Sequence, residues 1–288
     1  MAMSHATTVS APMEGRSWTV GRLAEYTVYI IIAIATLGPF LWVVLLSFKT
    51  RREFANDPFG LPLSLHLDNY VAVFERNGVM TFFFNSVLVS AAALAVLLVA
   101  SVLAAYAIAR VPFRGRNVVF VMFLLGDAIP LVIVIIPLFV LIQRIGLGNN
   151  ILALVFSYVA MNVGVAVFIL RGFFRSIHAD LIDAAKLDGC SALQTILHIM
   201  LPMARPALIV VAVTNFISFW NEYFLASILM STQSSFTLPA GLAATFVNQF
   251  ETNWPVMAAA VVLMTAPVLL VFIIFQRYIV EGWSYAAR

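Results

Sequence analysis

The 288-residue sequence is 63% hydrophobic and only 10% charged, with a mean hydropathy of +1.02. So few charges cannot cover the surface of a soluble protein of this size. Apolar runs of roughly 20 residues recur along the chain, so a polytopic, all-α membrane protein is expected. A β-barrel is excluded because the sequence lacks the period-2 alternation of barrel strands. The net charge of +3 and pI near 9.2 fit Lys and Arg beside membrane helices, and they indicate no nucleic-acid partner.

The N-terminus is polar and lacks a cleavable signal pattern, and the first apolar run is too long for the hydrophobic region of a signal peptide. We therefore predict a cytoplasmic N-terminal segment at 1–25, a single transmembrane domain at 26–280 and a cytoplasmic tail at 281–288. Six spans are expected within the domain: Tyr26–Ser47, Phe83–Ala107, Val118–Leu141, Ile151–Leu170, Ala207–Leu229 and Val256–Phe275.

The distribution of positive charge predicts the orientation. With the N-terminus inside, five of the 16 Lys and Arg residues lie outside, namely Lys49, Arg51, Arg52, Arg76 and Arg144. Because cytoplasmic segments are enriched in Lys and Arg, both termini are expected in the cytoplasm. The first three of these cations, just after the first span, favour the opposite orientation, but the later loops outnumber them.

Asp127 lies inside the third predicted span and is followed by Ala128, Ile129 and Pro130. Proline interrupts a helix, so a break is expected here. A charge within a membrane is costly and usually faces a cavity or pairs with another group. Asp127 is therefore a candidate for lining a solute pathway or for pairing with another group, and an unpaired structural Asp is the alternative.

The stretch 176–206, between the fourth and fifth spans, has the polar pattern of a water-soluble helical hairpin. Asp180 and Asp183 suit the first turn of a helix over 179–187, and Lys186 suits its last turn, because of the helix dipole. Gly189 fits the left-handed position that follows a helix. The pattern predicts a short helix that ends at a glycine corner.

A second short helix is predicted to follow the corner. Ser191 and Gln194 have the spacing of a capping box, which marks a helix start. Pro202 and Pro206 are expected to close this helix ahead of the fifth span.

The first helix of the hairpin offers one mostly apolar face, formed by Leu181, Ala184, Ala185 and Asp188 at helical spacing. Its acids and scarce basic residues differ from those of a helix that lies on anionic lipid, and its small residues permit close approach. Docking on another protein is favoured, and an interfacial or merely packing helix is the alternative.

A polar and aromatic group lies in the fifth predicted span: Trp220, Asn221, Glu222 and Tyr223. Aromatic faces and hydrogen-bonding groups together suit a sugar, whose C–H faces stack on rings while its hydroxyls form hydrogen bonds. The four residues are candidates for the solute pathway. The alternative is that Asn221 and Glu222 join neighbouring helices.

The sequence contains none of the short patterns that would make the chain an enzyme. It has no H-E-x-x-H metal site, no G-x-S-x-G nucleophile turn and no phosphate-binding G-x-x-x-x-G-K-[ST] loop, and its four histidines lack metal-ligand spacing. No cofactor or metal is therefore expected in this chain. An ion-coupled secondary transporter of small polar solutes remains an alternative, although such a protein has no need of the hairpin.

Several motifs resemble the permease subunits of binding-protein-dependent ABC sugar importers, in particular the smaller maltose-type permease. The hairpin resembles that family's EAA loop, in which EAA is followed by DG and then by an I-x-LP ending. The matching residues are Asp183-Ala184-Ala185, Asp188-Gly189, Ile199 and Leu201-Pro202. Further similar stretches are Leu67-Asp68-Asn69-Tyr70, Asn85-Ser86, Ala104 to Arg110, Trp220-Asn221-Glu222 and Leu238-Pro239.

The resemblance implies the type I importer permease fold, in a bacterial inner membrane, and a set of partners. These would be a second related permease, two ATPase subunits that bind ATP and Mg, and an extracytoplasmic solute-binding protein. The loop at 176–206 would dock in the ATPase through Asp183, Ala184, Ala185, Asp188, Gly189, Leu201 and Pro202. The implied function is import of a sugar or oligosaccharide, with ATP hydrolysis by the separate subunits.

The sequence departs from the family pattern at two places. Asp183 replaces the glutamate of the EAA motif, which keeps the charge but shortens its reach. The ending after Tyr278 also differs from that of many relatives, so no contact of the tail with the ATPase is inferred.

Overall fold

The computed structural model describes residues 20–75, 78–247 and 253–286. The N-terminal segment is therefore described only from Val20 onward. Labelled in chain order, the helices are α1 Val20–Leu46, α2 Arg51–Asn56, α3 Asp68–Glu75, α4 Val79–Arg110, α5 Arg116–Asp127, α6 Leu131–Arg144, α7 Ile151–Ser176, α8 Ala179–Leu187, α9 Ala192–Met203, α10 Arg205–Asn221, α11 Phe224–Leu229, α12 Leu238–Val247 and α13 Trp254–Ala286.

Within these residues, four helices are long and apolar enough to cross a membrane alone: α1, α4, α7 and α13. Two bent pairs meet the same test together. They are α5 with α6, which meet at 96°, and α9 with α10, which meet at 81°. The six predicted spans thus correspond to four single helices and two interrupted regions.

The predicted break after Asp127 is confirmed, because α5 ends there and Pro130 precedes α6. A second interruption was not predicted. The fifth span was expected to be continuous over Ala207–Leu229, but α10 ends at Asn221 and α11 starts at Phe224. The sixth predicted span, Val256–Phe275, lies within the candidate span Trp254–Tyr278, and helix α13 continues beyond it to Ala286.

The centre of the fold is the long contact between α4 and α7, against which α5 and α10 also pack. Buried small residues such as Ala93 and Ala105 of α4 permit close packing with Leu154 and Leu170 of α7. These residues form one apolar core, which continues to the base of the hairpin.

Asn69 holds the end of α1 at one side of the membrane domain. Its amide donates hydrogen bonds to the carbonyl oxygens of Ser47 and Lys49, both at 2.8 Å. Lys49 is itself only 2% exposed, and its ammonium donates to the carbonyl oxygen of Asp57 at 2.7 Å. Lys49, one of the cations that oppose the predicted orientation, therefore has a structural role inside the protein.

The segment 231–238 is held at the same side by three polar side chains. The Asn149 carboxamide oxygen accepts from the backbone N–H groups of Ser231 and Thr232 at 2.9 and 3.2 Å. Asn85 donates to the carbonyl oxygens of 234 and 236, both at 2.9 Å, and the hydroxyl oxygen of Ser86 accepts from the N–H of residue 238 at 2.7 Å. The beginnings of α4 and α7 are thereby tied to the loop before α12.

Helix α1 lies at the edge of the domain and packs against α13. Its most apolar stretch contains no buried residue, and side chains such as Tyr29 and Ile34 are 62% and 66% exposed. This helix offers its apolar surface to lipid or to another membrane subunit.

Gly164 lets α5 approach α7 closely. A Cβ atom at this position would lie 2.3 Å from the carbonyl oxygen of Phe123 and 2.7 Å from Oδ2 of Asp127. We expect Gly164→Ala to destabilise the protein by about 1–3 kcal/mol through overpacking, measured as a lower unfolding temperature in detergent.

Gly172, two turns later in the same helix, is a matched control because an added Cβ would meet nothing within 4 Å. Gly172→Ala should be neutral or stabilising by up to about 1 kcal/mol, since alanine is the better helix former. Equal unfolding temperatures for the two variants would contradict the close α5–α7 contact.

Candidate coupling and translocation sites

The hairpin corner has the predicted geometry. Helix α8 spans Ala179–Leu187, and Gly189 follows with φ of +79°. The N–H of Cys190 donates to the carbonyl oxygen of Ala185 at 2.9 Å, and that of Gly189 donates to Lys186 at 3.1 Å. This is the hydrogen-bond pattern of a Schellman ending, so the corner is fixed by its own backbone.

The predicted capping box at the start of α9 is also present. The Gln194 N–H donates to Ser191 Oγ at 3.3 Å, and the Ser191 N–H donates to Gln194 Oε1 at 2.8 Å. The prediction for the end of this helix is only partly right. Pro202 lies in the last turn of α9, which ends at Met203, whereas Pro206 lies in the first turn of α10, where a missing N–H has no cost.

The buried side of α8 differs from the apolar face that the spacing predicts. Ile182 and Ala185 are 5% and 4% exposed, whereas Leu181 is 44% exposed and Ala184 also faces outward. The hairpin is therefore anchored to the domain through Ile182 and Ala185. Asp188, at the far end of the same predicted face, is exposed.

The outward surface of the hairpin carries both charge and apolar area. Asp183 accepts from Lys186 at 2.8 Å, and both side chains are about two-thirds exposed. Leu187 is 89% exposed, although it is a large apolar residue at the tip. The sequence analysis did not single out Leu187. Its exposure follows from its position just before the corner, on the side of α8 opposite Ile182 and Ala185.

Arg110, the last residue of α4, ties that helix to the base of the hairpin. Its guanidinium donates hydrogen bonds to the carbonyl oxygens of Phe174 and Ile177. These carbonyls are at the end of α7, where helical partners are missing and a cation is favourable. The hairpin therefore starts from a junction that joins α4 to α7.

Glu222 joins α7 to the break between α10 and α11. Its carboxylate accepts from the Tyr158 hydroxyl at 2.8 Å and from the N–H groups of Leu225 and Ala226 at 2.6 and 3.1 Å. The backbone bonds cap the short helix α11, which explains the interruption that the sequence did not predict. The geometry agrees with the alternative in which this glutamate joins neighbouring helices.

The other residues of the 220–223 group have separate surroundings. Trp220 is 1% exposed and donates from its indole nitrogen to the carbonyl oxygen of Met264 at 2.9 Å, so it packs inside the bundle. Asn221 and Tyr223 are exposed on the surface of the chain, with Tyr223 at 47%. These two are the members of the group that are open to a solute or to another subunit.

Asp127 is paired within the chain. Its carboxylate accepts a hydrogen bond from the backbone N–H of Val165, beside Gly164, at the point where α5 contacts α7. The side chain remains partly exposed. The structure thus gives Asp127 a partner and leaves it next to the 96° bend.

Comparison with known proteins gives one matching family and several related permeases. The family described as binding-protein-dependent transport system inner membrane component matches residues 97–285, more than half of the chain. The sequence is 34% identical over 261 residues to the diacetylchitobiose uptake system permease protein NgcG of Streptomyces coelicolor, covering 90% of this chain and 86% of that one. It is 32% identical to the trehalose/maltose transport system permease protein MalG of Thermococcus litoralis, covering 90% and 93%.

A solved structure shares the fold. A chain in the crystal structure of a bacterial ABC transporter involved in the import of the acidic polysaccharide alginate superimposes with a TM-score of 0.83 and 23% identity. The match covers 93% of this chain and 99% of that one.

Replacement of Arg110 should loosen the base of the hairpin. We expect Arg110→Met to raise deuterium uptake over 177–187 by roughly tenfold or more, because hydrogen bonds from a charged group contribute about 1.5–3 kcal/mol each. The measurement is hydrogen exchange of the protein in lipid nanodiscs. Arg114→Met, in the exposed loop after α4, is the control and should leave this uptake unchanged. If the two variants exchange alike, Arg110 does not hold the junction.

Proposed function

The chain belongs to the family of binding-protein-dependent transport system inner membrane components, and from that premise we propose that it forms one half of a transmembrane pathway for a carbohydrate. The other half would be a second, related permease. The exposed apolar surface of α1 and the open side chains of Asn221 and Tyr223 support an arrangement in which this chain is covered by a partner.

The observation that carries the proposal is the hairpin. It is anchored by Ile182 and Ala185, fixed at its corner by Gly189, and presents Asp183 and Leu187 outward. A polar element with a strongly exposed apolar residue at its tip suits a cleft in another protein. We assign that cleft to one of two separate ATPase subunits, which would bind ATP and Mg and hydrolyse the nucleotide.

The junction at Arg110 gives a route by which motion of the ATPases reaches the pathway. Closure of the ATPase pair would move α8 and α9, and the bonds from Arg110 to the end of α7 would carry that movement to α4 and α7 together. Since Glu222 joins α7 to α11, the break after α10 would move with them. The pathway would thereby change from inward-facing to outward-facing.

The solute is proposed to be a sugar or oligosaccharide. The named solutes of relatives such as NgcG and MalG are carbohydrates, which supports this class. Tyr223 and Asn221 provide an exposed ring and an exposed amide for such a ligand, and Asp127 lies at the bent pair α5–α6. Trp220 and Glu222 would support these groups from behind.

The proposed orientation places both termini in the cytoplasm of a bacterial inner membrane, with the hairpin on the same side. The segment 231–238, which Asn85, Ser86 and Asn149 hold in place, then faces outward. An extracytoplasmic solute-binding protein would deliver the solute to this side. Burial of Lys49 supports the orientation, because this cation has a structural role of its own.

Native mass spectrometry of the complex, purified in mild detergent from its own membranes, tests the assignment. We expect this chain together with a second permease and two ATPase subunits. Leu187→Asp should weaken binding of the ATPases by about 30-fold, the effect of losing roughly 2 kcal/mol at an interface hot spot, while the second permease stays bound.

Leu63→Asp is the matched control, because Leu63 is also 89% exposed but lies in the loop between α2 and α3. It should leave the ATPases bound. A chain that is purified alone and still moves solute in ATP-free vesicles would contradict the proposal and favour an ion-coupled transporter.

Gly189 is proposed to be essential for the corner. We expect Gly189→Val to abolish ATP-dependent uptake into vesicles, because a β-branched residue is strained at φ of +79° and the α8–α9 angle would change. The protein should still insert, because the added Cβ meets nothing within 4 Å.

The control is Gly146→Val, which has a φ of +77° and equally open surroundings in the turn between α6 and α7. It carries the same backbone strain at the other end of the domain. Normal uptake by the Gly189 variant, or equal loss in both variants, would show that the corner itself is not required.

A further inference from the structure

A long apolar groove lies between α4, α9, α10 and α13, with a volume of about 700 Å³. Val99 of α4, Leu197 of α9, Ala212 of α10 and Phe275 of α13 each contribute to its wall. The side chains are open to the outside, since Val99 is 62% exposed and Leu197 is 49% exposed. No function described so far uses this groove.

The groove has the length of one membrane leaflet. Along α10 its lining begins at Arg205 and continues to Phe216, which is about 16 Å at the rise of an α-helix. Half of a hydrocarbon core is about 15 Å thick. A single acyl chain would therefore extend through the groove from the membrane surface to the bilayer centre.

Among the described residues that line the groove, one is charged, and it lies at one end. Arg205 is exposed at the start of α10 and makes no hydrogen bond or ion pair with the described part of the chain. Every other lining residue is apolar. A ligand that matches this arrangement has a negative charge at one end and a hydrocarbon chain behind it.

We propose that the groove binds an anionic phospholipid, with one acyl chain between α4, α10 and α13 and the phosphate at Arg205. Basic pockets between membrane helices are suited to such headgroups. The inference rests on the proposed function only in the choice of membrane leaflet. With both termini in the cytoplasm, Arg205 lies on the cytoplasmic side, so the lipid would belong to the cytoplasmic leaflet.

The lipid would contact the hairpin directly. Ile196 and Leu197, at the start of the π-helical turn Ile196–Met200, line the groove together with Leu193 and Leu201. A π turn inside a helix is often found at a functional site. The acyl chain would thus fill the space between α9 and the membrane helices and would support α9 in its position.

The test uses a phosphatidylglycerol with a photoactivatable diazirine in one acyl chain. The permease complex is placed in phosphatidylcholine nanodiscs with this probe, illuminated and digested, and the labelled peptides are identified by mass spectrometry. We expect labelling of α4 near Val99 and of α10 near Ala212. Unlabelled phosphatidylglycerol should compete about fivefold better than phosphatidylcholine, the preference expected from one Arg near the membrane surface.

Two variants separate the headgroup from the chain. Arg205→Gln should remove the preference for phosphatidylglycerol, while Arg114→Gln, an exposed cation outside the groove, should keep it. Ala212→Phe should fill the groove and reduce labelling of α4 several-fold. Val132→Phe, at a 71% exposed site on α6, is the control for a new aromatic ring.

Three results would overturn the proposal. The first is uniform labelling of all exposed helices that neither Arg205→Gln nor Ala212→Phe changes. The second is labelling without a headgroup preference, which would mean that bulk lipid wets the groove. The third is crosslinking of Val99→Cys to a helix of the second permease, which would make that helix the occupant. None of these readouts requires ATPase binding, so failure of the proposed function would be recognised separately.

Discussion

The backbone groups at a helix end have no partners within the helix, and in this chain polar side chains supply hydrogen bonds to several of them. Arg110 does so at the end of α7, Asn69 at the end of α1 and Glu222 at the start of α11. Arg110 and Asn69 belong to helices other than those whose ends they bond, and Glu222 lies in the break that precedes α11. These hydrogen bonds therefore connect separate helices and loops of the domain.

This arrangement gives the hairpin a firm base and an exposed tip. The base is the apolar contact of Ile182 and Ala185 together with the Arg110 junction. The tip offers Leu187 and the exposed Asp183. A docking element needs both, because a partner that pulls on a loosely held loop would move the loop and leave the membrane helices in place. The apolar groove beside α9 belongs to the same region, so lipid and ATPase would act on neighbouring surfaces of one element.

Local features of the fold could be predicted from the sequence, and contacts between distant parts could not. The Gly189 corner, the Ser191 capping box and the break after Asp127 each depend on a few adjacent residues, and all three are present. The buried side of α8 depends on what packs beneath it, so spacing alone gave the wrong face. The position of Glu222 at the break before α11 involves a hydrogen bond from Tyr158 of α7, which is invisible in a linear pattern. The roles assigned to the coupling and pathway residues stay predictions.

The exposure of α1 has a consequence for how the chain can change over evolutionary time. A helix with no buried residue in its apolar stretch is held to a length and a hydropathy rather than to a particular shape. Exchanges among Ile, Leu, Val and Phe on its exposed surface are therefore expected to leave the remaining helices of this chain undisturbed. The family match begins at residue 97, well after this helix, whereas the hairpin lies within it. We therefore expect substitutions to be tolerated more readily in this first helix than at the hairpin corner.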